Sequence, residues 1–579
     1  MKLVGGVLIA TLLTVLDAAA QAPGVPRFGI SIPMRDGIRL VADLYLPDSV
    51  GRFPAILLRT PYVKTPQFRR YKLAAYVQRG YAVVLQDTRG RGDSEGEFDF
   101  YFPEGKDGYD TIEWIAKQPW SNGRVAMDGG SYLGTVQWLA ARERPPSLAC
   151  IAPTAPSGRI FDEIPYLGGA FRMEWAIPWL NSVAGRVPQG DLVELVKWSE
   201  VMHHRPLETM DAAFGRPMRL YREFLEHSTF DEYWQRIQLS PQDFSRIDIP
   251  VMTVTGWFDG DQPGALYYWD GLEQHAPQKN QHSLIIGPWT HAMTYLGGAR
   301  KVNEYEVAQE SILDIQSLRL AFYDRCLKGN STAPAGPRVR VYVTGANRWI
   351  EADRYPLPET EIRSLYLHSG GGANSVTGNG TLSWTTPNQE PADTFTYDPR
   401  NPVPSRGITL DHRVIEARPD VLVYTSEELT DPIEIVGRVF VKLVASSDAT
   451  DTDFTAKLLD VHPDGRAVLL GPSEVGVRRA RYRNGYQKPE PLTPGKAEEF
   501  TIELFDIGHR ILPGHRIRLE ISSSATPYIA PNSNTGLPVA TDTTWRIARQ
   551  TIYHDRRRPS RVLLPVLPIQ EQASGGTPR

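Results

Sequence analysis

At 579 residues the chain is too long for one hydrophobic core, and its length points to roughly two to four domains. Hydrophobic residues make up 41% and charged residues 22%, the make-up of an ordinary soluble globular protein. A formal net charge of −4, with no basic run, excludes the electrostatic footprint of a nucleic-acid or anionic-lipid partner.

The chain begins with Lys2, an apolar stretch over residues 4–16 and then Ala18-Ala19-Ala20. That order reads as a secretory signal peptide over residues 1–20, with cleavage expected after Ala20, and the apolar part is too short for a membrane span. No later segment is apolar enough to cross a bilayer. The expectation is an exported protein, periplasmic or secreted. Export would allow Cys150 and Cys326 to pair. Cys150 lies in the apolar run Leu148-Ala149-Cys150-Ile151-Ala152 and Cys326 follows a helical stretch. Nothing in the sequence sets their distance, so two separate buried thiols are expected.

Residues 27–156 alternate short apolar strands, such as Ala55-Ile56-Leu57-Leu58 and Ala82-Val83-Val84-Leu85, with helical segments over 71–78 and 107–117. Strands of this kind fill a buried parallel sheet, so the fold class is α/β. Residues 157–249 are poor in strands and carry Trp175, Trp179, Trp198 and Trp234. Within them, Leu192, Leu195, Val196 and Val201 fall close to helical spacing, which predicts an inserted helical cap. Strand patterns resume over 250–356. From 357 to 568 helices give way to alternating runs such as Arg438-Val439-Phe440-Val441-Lys442-Leu443 and Arg516-Ile517-Arg518-Leu519-Glu520-Ile521. Each reads as a strand with one buried face, and together they predict an antiparallel β-sandwich, a jelly roll.

The strongest local signal is Gly129-Gly130-Ser131-Tyr132-Leu133-Gly134, after the strand-like Arg124-Val125-Ala126-Met127 and before a helix over 135–142. A serine at such a strand-to-helix turn is pushed out of the sheet as a nucleophile. The second glycine comes three residues after Ser131, one later than in the common form of this elbow. A nucleophilic serine needs a base, and the base needs a carboxylate to orient it. In an α/β-hydrolase fold the acid and then the histidine follow the serine, each just after a strand. Val251-Met252-Thr253-Val254-Thr255 leads into Gly256-Trp257-Phe258-Asp259, and Leu284-Ile285-Ile286 into Gly287-Pro288-Trp289-Thr290-His291. The candidate triad is therefore Ser131, Asp259 and His291.

These motifs, with Arg59-Thr60-Pro61-Tyr62, the run Gln86-Asp87-Thr88-Arg89-Gly90-Arg91-Gly92-Asp93-Ser94 and Gly514-His515-Arg516-Ile517-Arg518, make the sequence recognisable. From about residue 28 to 564 it resembles the α/β-hydrolase family of cocaine esterase, α-amino-acid ester hydrolases, glutaryl acylases and Xaa-Pro dipeptidyl-peptidases. The late glycine of the serine turn is normal there. The resemblance implies an α/β-hydrolase with a helical cap and a jelly roll, and assigns the oxyanion donors to the Tyr62 hydroxyl and the Tyr132 N–H. It also sets Asp261, two residues after the triad acid, where the amino-ester hydrolases carry a carboxylate that holds the substrate's ammonium. Gln262 departs from that branch, which is acidic there too. A further cap acid falls on Asp162 or Glu163. Trp257 and Trp175 complete the candidate substrate contacts.

No cofactor or metal is implied. His203-His204 is adjacent rather than spaced for one metal face. Asp448, Asp451 and Asp453 lack the glycine and glutamate of a calcium loop, which leaves a solvated loop. The expected activity is hydrolysis of a small carboxylic ester or amide, or of a short peptide, with amino-acid-type acyl groups favoured. Xaa-Pro dipeptide release, neutral aromatic-ester hydrolysis and non-catalytic carbohydrate or partner binding are the alternatives. The oligomeric state stays open.

Overall fold

The computed structural model of the protein describes residues 25–189, 198–201, 203–298, 300–302, 305–330, 336–407 and 410–569. The expected signal peptide, and the expected cap helix before Trp198, lie outside them.

Ten strands form the first sheet: β1 (Val25–Pro33), β2 (Arg39–Leu46), β3 (Phe53–Thr60), β4 (Ala82–Asp87), β5 (Ser121–Gly130), β6 (Leu148–Thr154), β7 (Val251–Phe258), β8 (His282–Thr290), β9 (Val339–Val343) and β10 (Arg348–Ala352). Their spatial order is β1-β2-β4-β3-β5-β6-β7-β8-β9-β10. From β4 to β9 every neighbouring pair is parallel. Helices cover this sheet, so β4 and β7 are buried along their whole length, and both are largely apolar. The expected helix over 71–78 is two shorter helices, Lys64–Arg70 and Ala74–Gln78, separated where Lys72 turns left-handed at φ 50°.

Between β6 and β7 lies the cap. Its helices include Met173–Val183, Arg219–Glu226 and Glu232–Gln235. Ile177, Leu180, Tyr221, Phe224 and Trp234 press into the same apolar core as the sheet.

The strands from Glu361–His368 to Arg561–Val566 make a second sheet system with its own core, including Leu365, Val439, Val441, Phe454 and Leu519. Its pairings are antiparallel except where Gly380–Ser383 runs beside Leu422–Ser426. The chain is thus an α/β-hydrolase followed by a sheet-rich C-terminal domain. In Ile433–Ser447 the residues 438–443 alternate as expected, with Val439, Val441 and Leu443 buried. Arg516–Ser522 does not. It is paired on both edges, with Leu422–Ser426 and Asp453–Val461, and buried on both faces, where Arg518 pairs with Glu416 and Glu520 with Lys457.

Two other expectations are corrected. Cys150 and Cys326 form a disulfide, because the helix Ile315–Lys328 packs on β6 and brings Cα atoms 176 positions apart in sequence to 6.3 Å. Asp451 and Asp453 are not solvated. Each is buried in an ion pair, with Arg481 and Arg479 respectively, and both accept from Asn532. Among the described residues no helix is long and apolar enough to cross a membrane.

Candidate active site

The carboxyl ends of the parallel strands converge on one cavity of about 480 Å³. Its wall includes Tyr62 just after β3, Ser131 after β5, Asp261 after β7 and His291 after β8, with Trp175 and Trp179 supplied by the cap. This is where an open α/β sheet places its ligands.

Ser131 joins β5 directly to the helix Tyr132–Arg142, with φ 58° and ψ −126°. A side chain rarely tolerates that backbone, and here it turns the serine out of the sheet. The turn needs glycine before it. A Cβ on Gly130 would stand 1.8 Å from the ring of Tyr295. Tyr132 opens the helix, so its N–H has no acceptor within the helix and remains available beside Ser131. Its side chain points into the core, where the hydroxyl reaches Phe100 O at 2.5 Å and Glu104 Oε1 at 2.9 Å.

Asp259 is fully buried. Its Oδ1 lies 2.8 Å from His291 Nδ1 and accepts the Asp261 N–H at 3.0 Å, while Oδ2 accepts the Thr255 hydroxyl at 3.0 Å. A carboxylate fixed in this way keeps the imidazole proton on Nδ1 and leaves Nε2 to take another. The Tyr295 hydroxyl meets Nε2 at 3.1 Å, and Tyr71 accepts the Gly130 N–H at 3.2 Å.

Two carboxylates crowd His291. Burial works against a charged His291, but Asp259 and Asp261 outweigh it and push its pKa up to about 9. Asp261 Oδ2 is 3.7 Å from His291 Nδ1. Burial raises the Asp261 carboxyl, with His291 opposing and Asp259 adding to the rise. Glu163 is buried near Asp261, though it is not on the cavity wall. Burial first, then the charge of Asp261, holds it well above the usual carboxylate range. Its Oε2 accepts the N–H groups of Gly158 and Arg159, both at 3.0 Å, and its Oε1 is buried without a partner. Tyr62 is pushed up to about 12, chiefly by burial, so it stays a neutral donor.

Of the residues expected at this site, Ser131, His291, Tyr62, Tyr132, Asp261 and Trp175 border the cavity, and Asp259 stands directly behind His291. Trp257 does not border it. The indole fills the junction with the C-terminal domain, where its N–H donates to Tyr342 O and its ring covers Gly508. Gln262 also faces that junction and exchanges hydrogen bonds with the Asp506 backbone. Asp162 is held by Arg159 and the Gly168 N–H, which leaves Glu163 as the cap acid near Asp261. Trp179 and Tyr295 are not among the residues expected at the site, yet each has a signal in the sequence. Trp179 follows Trp175 by one helical turn, and the two rings stack at 5.3 Å. Tyr295 follows His291 at the same spacing.

Residues 36–293 match the family described as X-Pro dipeptidyl-peptidase (S15 family), and residues 332–563 match the X-Pro dipeptidyl-peptidase C-terminal non-catalytic domain. The cocaine esterase of Rhodococcus sp. (strain MB1 Bresler) is 36% identical over 577 residues, which span 93% of this chain and 98% of that protein. The chain belongs to this family of serine hydrolases. Among solved structures, an α-amino-acid ester hydrolase aligns with a TM-score of 0.82 at 26% identity, covering 96% of this chain and 100% of that one. An aminopeptidase from a marine sediment thaumarchaeon aligns with a TM-score of 0.84, also at 26% identity, covering 94% and 97%.

Proposed function

We propose that the protein hydrolyses carboxylic esters or amides through an acyl-enzyme on Ser131. His291 takes the serine proton and returns it to the leaving group, Asp259 holds the imidazole, and Tyr62 with the Tyr132 N–H receives the oxyanion. The observation that carries this reading is the 2.8 Å contact of Asp259 with His291, whose ring opens onto the cavity bordered by Ser131. The test is labelling with a fluorophosphonate followed by peptide mass spectrometry. Adduct on Ser131, absent from Ser131→Ala, supports the reading. Labelling elsewhere, or hydrolysis surviving in folded Ser131→Ala, overturns it.

The favoured acyl group carries a free amine. Asp261 lies on the wall of the cavity that Ser131 borders, with the buried Glu163 near it, and an ammonium in that cavity would offset the repulsion between the two carboxyls. Tyr62, Tyr101, Trp175 and Trp179 give the same cavity an aromatic wall, which favours an aromatic side chain. An Xaa-Pro peptide would use the same amine site, so parallel assays of an amino-acid ester, an Xaa-Pro anilide and a neutral aromatic ester separate the three. We further propose export after cleavage at Ala20. The Cys150–Cys326 disulfide supports an oxidising compartment, and N-terminal sequencing of the mature protein tests it.

A further inference from the structure

Outside the cavity that holds Ser131 and His291, one end of the C-terminal sheet gathers three imidazoles around a carboxylate. Asp460 lies near the end of the strand Asp453–Val461, and His462 follows two residues later. His509 comes from the strand Glu498–Ile511, and His515 immediately precedes Arg516–Ser522. Asp460 Oδ1 is 2.7 Å from His515 Nδ1. Its Oδ2 is 3.2 Å from His509 Nε2 and 4.0 Å from His462 Nε2. One ligating atom each from Asp460, His462 and His515 lie within 4.8 Å of one another. His462 Nε2 is buried with no hydrogen-bond partner, although the ring as a whole remains 24% exposed.

Thr344 Oγ1 lies 2.9 Å from Gly508 O and 2.7 Å from His509 Nδ1, so the His509 ring is held from behind while its Nε2 faces Asp460. The unpartnered His462 Nε2 stands 4.0 Å from the same carboxylate, too far for a hydrogen bond and within reach of a shared ion.

We propose that Asp460, His462 and His515 are the ligands of one zinc ion, with His509 facing the ligating carboxylate from the side away from the rim. Imidazole nitrogens with a single carboxylate suit zinc, whereas calcium and magnesium take oxygen donors. Ligand atoms at bonds of about 2.0–2.1 Å around a tetrahedral zinc stand roughly 3.3 Å apart. The separations from Asp460 bracket that value, so small side-chain rotations complete the site. The exposed edge of His462 gives the ion a path in. The site joins three strand ends of the C-terminal sheet, and through His509 and Thr344 it reaches the Gly508 backbone that covers Trp257. Its expected effect is therefore on the stability of the domain junction rather than on the chemical step.

The experiment uses the full chain, free of any histidine tag, stripped with chelator and dialysed against micromolar zinc chloride or cobalt chloride. Expected are one zinc per chain by elemental analysis, a tetrahedral visible band with cobalt, and a higher melting midpoint with zinc. His462→Ala removes only the rim ligand. It should weaken binding by roughly tenfold or more while melting like the wild type in chelator. His291→Ala should bind as the wild type does, which separates this site from the catalytic one. No saturable uptake by the wild type would mean that a proton on Asp460 satisfies the cluster, and would overturn the proposal. Undiminished binding by His462→Ala, or binding lost with His291→Ala, would overturn it equally.

Discussion

The indole N–H of Trp179 donates to the hydroxyl oxygen of Tyr62 across 2.9 Å. Indole is a donor only, so Tyr62 is the acceptor in this pair and its own proton stays free for the cavity. Tyr62 is held from behind as well, since Arg91 donates to Pro61 O at 2.7 Å and to Val183 O at 2.6 Å. The phenol is therefore oriented before any charge develops. Tyr62→Phe should lower kcat by about 10²–10³ with little change in KM. Trp179→Phe, which frees the phenol to rotate, should cost less. Tyr295→Phe, which removes the competing partner of His291 Nε2, should cost least or raise the rate. Steady-state kinetics on one activated ester rank the three, and equal rates for Tyr62→Phe and wild type would leave Tyr62 a packing residue.

How far the sequence reached is visible in particular residues. Ser131, Asp259 and His291 were legible because a parallel sheet delivers each loop to one edge, so chain order after strands carries spatial information. Side-chain direction is not carried in that way. Trp257 stands two residues from Asp259, yet the C-terminal sheet covers that strand end and takes the ring into the junction. Cys150 and Cys326 gave no pairing signal, because helix-on-strand packing rather than spacing brings them together. The alternation of Arg516–Ser522 suggested an exposed face, but pattern cannot distinguish solvent from a row of buried partners such as Glu416 and Lys457. Asp460 and His462 alternate along one strand end, while His509 and His515 arrive from elsewhere in the sheet, so only the fold assembles the cluster.

Asp261 should set selectivity. Asp261→Asn keeps the size and removes the charge, so the ratio of kcat/KM for an amino-acid ester to that for a neutral aromatic ester should fall. Roughly tenfold or more is expected for an ion pair shielded from water. Glu163→Gln should lower the ratio less, since Glu163 is not on the cavity wall. An unchanged ratio in both variants would return the neutral ester to first place.

The same carboxylate governs the pH profile. His291 acts as base only when neutral, and in the free enzyme Asp259 and Asp261 raise its pKa to about 9. With a neutral ester, kcat/KM should therefore climb from pH 7 toward pH 9. Removing the Asp261 charge lowers the His291 pKa, so in Asp261→Asn the rising limb should move to lower pH. A limb that stays in place would show that Asp261 does not sense the base.

The disulfide closes a sequence separation of 176 residues. Chain entropy sets a ceiling of about 5 kcal/mol for a loop of that size, and measured bridges more often contribute about 2–4 kcal/mol. Cys150→Ser with Cys326→Ser should lower the melting midpoint by several degrees and leave the kinetics of the folded enzyme unchanged. A midpoint insensitive to both reduction and mutation would refute the stabilising role.

Acid should destabilise the hydrolase domain through His282. It begins β8, is 1% exposed, and both ring nitrogens are buried without partners beside a second cavity of about 410 Å³. Burial, aided by Arg338, pushes its pKa down to about 4, against about 6.5 in an unfolded chain. Between those values the unfolded state binds a proton that the folded state refuses, so stability rises with pH across the window and is lost as pH falls. The full difference is about 3 kcal/mol from this one ring, present above pH 6.5 and gone below pH 4. His282→Leu removes the titration without breaking a hydrogen bond. Its melting midpoint should match the wild type's near pH 8 and exceed it near pH 5. The carboxylates and the other histidines titrate alike in both proteins, so the informative quantity is the difference between the two curves. Parallel curves from pH 8 to pH 5 would mean that His282 finds a proton partner in solution and does not carry this acid sensitivity.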